Sequence, residues 1–371
     1  MATRANVIIK KTGEETVILY HHYDGYPKGV GQELVRYLSY LPQYLLGTRA
    51  LGAYIHAHDS AYEEHESEAG DAEYRYVVDL EKMTLTCEHL YNGSVDTMLN
   101  INPVPGSENV DKKKRKVILS KIRELEKKKL IHVLWCVESG SRAWGFASKD
   151  SDWDVRFIYV HRPEWYMRVE EQRDVIEVTD ETENLDMVGW ELRKALRLFK
   201  QSNPSLLEWI NSPIIYHQDA LFIYWMHRLE PALYNPIKNV HHYLSMATKH
   251  NDKYLQKKGF MLKKYLYFLR GLLAVKFIME YRFAPPVEFE TLLLFSPMES
   301  KIRDAILDIV RLKREGKEHD EMAVSDVLQE YGENLMTEWE KAVAEYHPEI
   351  VKHDLTEVLD KFMYQFVMKN S

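Results

Sequence analysis

The sequence predicts a mixed α/β (α+β) chain in three parts: a small α/β domain over residues 1–105, an α/β domain over 112–200 and a helical domain over 201–371. Three observations lead there. Up to residue 180 several apolar stretches are short and alternate with polar residues, which is the period of strands. From Gly189 onward the apolar residues recur almost throughout at helical spacing. Between Asn100 and Asn109 lies a tract with two prolines, a glycine and polar residues, which reads as a linker.

In the first part, Val7–Ile9 and Thr16–Tyr20 read as strands around the turn-prone Thr12-Gly13, and the aromatic run from His21 to Pro27 reads as a turn. Gln32–Leu46 has helical spacing, with Leu34, Tyr37, Leu38 and Leu41 on one face. Tyr74–Val78 and Met83–Cys87 alternate around Asp79-Leu80-Glu81-Lys82 and predict a β-hairpin. In the second part a lysine-rich run, Asp111–Lys116, leads a helix from about Val117 to Lys129, where a solvated face is the expected use of the charges. Leu130–Val137, Asp152–Val160 and Asp174–Thr179 read as strands, and Gly140–Ser151 as a loop. The helical stretches are Trp190–Lys200, Pro204–Ile210, His241–Lys257, Gly259–Tyr281, Ser300–Arg314 and Ser325–Tyr346.

Composition excludes several classes. Charged residues at 29% and hydrophobic ones at 45% are those of a globular chain. No apolar run approaches a membrane span, and Met1 leads straight into a strand-like run without a signal-peptide pattern, so no membrane partner and a cytoplasmic protein are expected. Cys87 and Cys136 are the only cysteines, too few for a disulfide scaffold or a four-cysteine zinc site, and Cys136 reads as core. The net charge of −8 is uneven: residues 1–110 hold 8 Lys and Arg against 16 Asp and Glu, and the remainder 41 of each. The acidic part is a poor electrostatic partner for nucleic acid, whereas local basic faces of the neutral part suit it.

The chemistry concentrates in Gly140–Phe157. A strand ends in Gly140-Ser141, a loop follows, and a second strand opens with Asp152 and Asp154. Side chains alternate along a strand, so both carboxylates project from one face while Trp153, Val155 and Phe157 face the core. Two carboxylates on one face repel unless a cation lies between them, and Mg²⁺ takes oxygen ligands while leaving positions for phosphate. The amides of Gly140 and Ser141 and the Ser141 hydroxyl suit phosphate oxygens. Arg142 has the reach for a bidentate phosphate contact. Arg156 shares the face of the carboxylates, which fits a structural ion pair as well as a catalytic role. Arg193, Arg197 and Lys200 share a helix face suited to an RNA backbone or a triphosphate tail, although a solvated face is the commoner meaning of such a run.

A Gly-Ser separated by ten residues from Asp152-Trp153-Asp154-Val155 resembles the signature of the DNA polymerase β nucleotidyltransferase superfamily. With Gly140–Phe146, Ser151–Tyr159, Leu185–Leu196, Asn203–Ile210, Ser212–Tyr216 and Lys263–Arg270, the ensemble resembles the RlaP family of RNA-repair-associated nucleotidyltransferases over about residues 115–365. The resemblance implies a polymerase-β-like mixed sheet followed by a helical bundle. It also implies two-metal transfer of a nucleoside monophosphate from an NTP with Mg²⁺ or Mn²⁺. By it the third catalytic carboxylate is Asp186, with Glu177 as the competitor. Helical lysines of the superfamily often reach the nucleotide, which adds Lys264 and Arg270 to the nucleotide-binding candidates, although core packing is the commoner use of their aromatic-rich helix. An RNA end is the implied acceptor, with an RNA-ligase pathway partner by analogy. A protein partner modified with AMP is the alternative acceptor, and a nucleotide sensor without turnover is a reading from another class.

Histidines cluster at His21-His22 with Asp24 and at His56-Ala57-His58-Asp59 with His65. The spacing is too short to diagnose a metal site, and turn hydrogen bonds are the expected use.

Overall fold

A computed structural model describes residues 3–38, 47–58, 61–101, 111–255, 262–296, 298–316, 325–350 and 354–370. Backbone packing divides the chain into two compact units, 1–106 and 107–371.

The first unit holds a mixed sheet. Its strands are β1 (Ala5–Lys10), β2 (Val17–His21), β3 (Tyr62–His65), β4 (Tyr74–Asp79), β5 (Thr84–His89) and β6 (Val95–Asn100), in the order β3-β2-β1-β4-β5-β6. Only β1 and β4 pair in parallel; the other neighbours are antiparallel. The predicted hairpin is β4–β5, in register from Tyr74 opposite His89 to Asp79 opposite Thr84. Helix α1 (Gln32–Leu38) buries the predicted face of Leu34, Tyr37 and Leu38. Its expected continuation to Leu46 lies outside the described residues, as does most of the predicted linker. Helix α2 (Thr48–His58) and strands β3 and β6 were not expected. β3 and β6 are edge strands with largely exposed side chains, and such strands carry little alternation. The histidines serve turns and surface pairs: His21 Nδ1 lies 2.5 Å from the Tyr23 carbonyl, and His22 pairs with Glu63 at 3.2 Å. Asp59 lies outside the described residues.

The second unit is built on a five-stranded mixed sheet of β7 (Ile131–Glu138), β8 (Trp153–His161), β9 (Val175–Asp180), β10 (Leu185–Glu191) and β11 (Ile215–Gln218), ordered β11-β7-β8-β10-β9. Helix α3 (Lys112–Lys129) covers one face, packing Ile118 and Ile122 into a cluster with Val155, Phe157, Tyr159 and Cys136. It starts at Lys112 because the Asp111 side chain accepts the Lys113 amide at 2.9 Å and caps it. Its basic run is partly engaged rather than only solvated. Lys114 reaches Glu183 at 2.7 Å, and Arg115 donates to the carbonyls of Ile215 and Tyr216 at 2.7 and 3.0 Å.

The one-turn helices α4 (Gly140–Ala143) and α5 (Pro163–Tyr166) interrupt the loops after β7 and β8. After β10 come α6 (Leu192–Lys200), α7 (Pro204–Ile210), α8 (Ala220–Leu233), α9 (Pro236–His250) and α10 (Leu262–Tyr281). They are followed by α11 (Phe289–Leu294), α12 (Ser300–Arg314), α13 (Asp326–Ala344) and α14 (Thr356–Lys369). Helix α10 is buried along most of its length against α9, α11, α12 and α13. Two expectations are corrected. Residues 189–191 finish β10, because Leu185–Glu191 alternates buried and half-buried positions and Glu191 then caps α6. β11 returns from beyond residue 200 to pair with β7, so the sheet crosses the expected boundary there; four residues are too few to show a period. No helix among the described residues is long and apolar enough to cross a membrane.

Gly189 lets β10 lie against β8's aromatic row: a Cβ at this position would stand 2.2 Å from the Phe157 ring. Gly189→Ala is expected to cost about 1–3 kcal/mol of stability, read in equilibrium unfolding as a lower urea midpoint at an unchanged slope.

Candidate active site

The site forms where β7 ends, the chain turns through α4, and β8 begins beside β10. Gly140 has φ +59°, and a Cβ there would lie 2.1 Å from Asp154 Oδ2. Only glycine permits both the left-handed backbone and this approach. The Asp154 main chain is held on both sides: its amide donates to Glu138 Oε1 at 2.9 Å, and its carbonyl accepts the Ser139 amide at 2.8 Å.

β8 and β10 run parallel in a register that sets Asp154 directly opposite Asp186. Arg156 joins the two. Its guanidinium donates to Asp154 Oδ1 at 3.0 Å, Asp186 Oδ2 at 2.9 Å and the Asp186 carbonyl at 2.9 Å. Burial raises the Asp154 carboxyl above its ordinary range; the charges of Asp186 and Asp152 push the same way, and Arg156 opposes them. Asp152 is exposed just ahead of β8. Glu177 lies elsewhere. It sits on β9 opposite Val188 and pairs with Arg173, while Thr179 is the β9 residue opposite Asp186.

The carboxylates offer the hard oxygen donors that Mg²⁺ or Mn²⁺ takes, and their mutual repulsion is what a cation relieves, so in donor chemistry they fit one. They are not gathered around a common point: among the described residues no three His, Cys, Asp or Glu side chains are arranged as a ligand set, and Arg156 is the counter-ion of Asp154 and Asp186.

Behind Asp154 stands Glu138, fully buried, a residue the sequence reading missed. Its Oε2 accepts the Tyr216 hydroxyl at 2.6 Å, and burial pushes its carboxyl up to about 7. A carboxylate at the end of an apolar strand, just ahead of Gly-Ser, was its signal.

Ser141 is buried in α4. Arg142 clamps the loop instead of facing open solvent: it donates to the carbonyls of Ser151 and Asp152 at 2.6 and 3.2 Å and lies 3.8 Å from the Trp153 ring centroid. Lys313, on α12 and 0% exposed, reaches the hydroxyls of Ser148 and Ser151 at 3.5 and 3.4 Å, and Arg314 donates to the Gly145 carbonyl at 2.8 Å. Nothing local in the sequence ties α12 to a loop so far from it.

The remaining candidates separate. Arg270 is 1% exposed, ion-paired with Glu208 at 3.0 Å and stacked 4.4 Å from the Trp144 ring. Glu208 also accepts the Tyr243 hydroxyl at 2.8 Å and the Trp144 ring N–H at 3.2 Å. The structure thus places Arg270, expected as a nucleotide contact, with its guanidinium buried within this network. Lys264 lies over Tyr254 and Tyr267, at 4.4 and 6.0 Å, and Tyr267 meets Trp144 edge-on. Arg193, Arg197 and Lys200 do share a face, but it meets α14 across a cleft of about 320 Å³, and Lys200 bonds the Thr356 hydroxyl. Arg193 follows the end of β10 opposite to Asp186, roughly 20 Å along the strand. Its guanidinium stacks on Tyr166 at 5.1 Å.

The sheet thus sets an Asp-x-Asp segment beside a third carboxylate, with a Gly-Ser turn against it, which is the arrangement that the resemblance to nucleotidyltransferases leads one to expect. The family model described as "RNA repair pathway DNA polymerase beta family", RlaP, matches residues 115–365. The uncharacterized protein YcgL of Bacillus subtilis (strain 168) is 38% identical over 250 residues, 67% of this chain and 95% of that protein. The chain belongs to the RlaP family and is thus a polymerase-β-like nucleotidyltransferase in family and fold. A crystal structure of a nucleotidyltransferase-like protein from Exiguobacterium sibiricum 255-15 is similar at 12% identity over 69% of this chain and 90% of that one. The TM-score between the two is 0.24.

Two outcomes follow from this geometry. Between pH 4.5 and about 7, native Glu138 keeps a proton that the unfolded chain has released, so its contribution to stability falls as pH rises through that window. Glu138→Gln, an amide that can serve both partners, is expected to gain on the wild type across the window and then level off. The gain is on the order of 3 kcal/mol at most, read from urea midpoints at several pH values; a gap independent of pH would contradict it. Arg270→Met leaves Glu208 without its counter-charge and is expected to cost roughly 3–5 kcal/mol in the same unfolding assay. Unchanged stability would return Arg270 to the ligand-facing candidates.

Proposed function

We propose that this chain transfers a nucleoside monophosphate from an NTP to a hydroxyl at an RNA end, in RNA repair or processing. The observation that supports this most directly is the pairing of Asp154 with Asp186 across β8 and β10, with Asp152 two residues ahead. The family description supports the RNA acceptor.

Asp152, Asp154 and Asp186 would hold the divalent cations. Bound there, the cations supply charge neutralisation of the triphosphate and a lowered pKa at the acceptor hydroxyl. The protein's part is positioning. Arg156 fixes the rotamers of Asp154 and Asp186, and Gly140 leaves room for the Asp154 carboxylate. Arg142, Lys313 and Arg314 fasten the loop that carries Asp152. In the transfer, a bond forms between the acceptor oxygen and the α-phosphorus. The bond from that phosphorus to the bridging oxygen breaks, pyrophosphate leaves, and the acceptor proton passes to solvent.

Asp154→Asn and Asp186→Asn are each expected to reduce pyrophosphate release by roughly 10²-fold or more with the melting temperature retained. The assay is incubation with each α-labelled NTP, Mg²⁺ or Mn²⁺ and pooled RNA, with products resolved as RNA and as protein. Label on protein alone would overturn the RNA acceptor and keep the transferase; full activity in either variant would overturn the site.

A further inference from the structure

The face of the sheet opposite the carboxylates carries a separate groove of about 670 Å³, within the size range of small-molecule sites. It opens between the end of α3, the end of β8 and the edge strand β9. Along β8, Asp154 and Arg156 project to one side, while Val155, Phe157 and Tyr159 project to the α3 side. Tyr159, in the groove wall, is five residues and about 17 Å from Asp154. The groove is thus distinct from the transfer site.

Its lining departs from the character of the chain. Lys128, Lys129, Arg162, Arg168 and Arg173 stand against two carboxylates, Glu164 and Glu177, in a protein of net charge −8. Arg173 is paired with Glu177. Lys128, Lys129 and Arg162 have no ion-pair partner among the described residues. Beside them Trp165 stacks on His161, with ring centroids 4.3 Å apart and planes 10° from parallel. The charges of Arg168 and Lys129, with burial the larger cause, push His161 down to about 4, so this ring is neutral at pH 7. Tyr159 is fully buried, and its hydroxyl has no hydrogen-bond partner among the described residues.

We propose that this groove is a second binding site, for a phosphorylated nucleoside, with its base against the Trp165–His161 ring pair and its phosphate among Arg162, Lys128 and Lys129. The positive charge selects the phosphate, and the stacked rings and volume select the attached base over a bare anion. A free mononucleotide and the terminal nucleotide of an RNA share this chemistry.

The full chain is titrated calorimetrically in EDTA, which withholds the divalent cations of the transfer site, with three probes: AMP, a 5′-phosphorylated adenosine tetranucleotide, and adenosine. Expected is one site per chain for a phosphorylated probe and binding at least about tenfold weaker for adenosine. Trp165→Ala is expected to weaken binding by about tenfold or more, and Trp165→Phe, which retains a stacking ring, to restore most of it. Arg162→Gln should weaken it severalfold. Thermal melts would show that these variants fold. Binding of AMP identifies a free nucleotide as the ligand, and binding of the tetranucleotide alone identifies an RNA end. No binding of either probe at millimolar concentration overturns the proposal. So does binding that Trp165→Ala and Arg162→Gln leave unchanged, including binding at the transfer site.

Discussion

In β8 and β10 the parallel register puts Asp154 across from Asp186, one inter-strand spacing away, and two carboxylates so placed repel. The arrangement persists because Arg156 lies between them with three charge-assisted or carbonyl contacts to the pair. Much of the nearby structure serves this constraint. Gly140 takes a left-handed conformation without a Cβ so that the Asp154 carboxylate fits, and Glu138 takes up the Asp154 amide from the strand behind. Glu138 is in turn held by Tyr216 of β11, a strand contributed by chain far downstream.

The same dependence runs into the helical part of the second unit. Lys313 and Arg314, at the end of α12, bond the loop between Gly145 and Ser151, and the Arg270–Glu208 pair holds Trp144 between α7 and α10. A buried ion pair is weak evidence of net stability, because desolvation offsets much of its attraction. What it does fix is geometry. Removing one partner leaves an uncompensated charge, so alternative placements of α10 against the Gly-Ser turn are excluded.

The side-chain alternation from Asp154 on was legible in the sequence, because the strand period turns Asp154 away from Val155 and Phe157, which lie in the core, whereas Asp152 falls just ahead of β8. Pro204–Ile210 and Ser300–Arg314 were legible to the residue because proline or serine starts and a full apolar stripe mark them. The edge strands β3, β6 and β11 were not, being short and weakly patterned. Nor were the partners of the basic residues. A basic residue's type shows that it needs a counter-charge, and only the fold shows which one, as with Arg270 beside Glu208 and Lys114 beside Glu183. Asp186 came from family likeness, and the register beside Asp154 is what distinguishes its position from that of Glu177.

The engagement of these cations bears on how charge is handled in the second unit. Around the carboxylates, Arg142, Arg156 and Arg270 are all engaged by carbonyls, carboxylates or rings of the protein itself. In the proposed transfer these three guanidiniums are then already committed to partners within the protein. On the other face of the same strand the situation reverses. Arg162, Lys128 and Lys129 line a groove and have no ion-pair partner among the described residues, which is the charge the proposed second site would use. Strand β8 thus carries Asp154 and Arg156 on one face and Val155, Phe157 and Tyr159 on the other, while the cations of the groove come from the end of α3 and from Arg162 just past the strand.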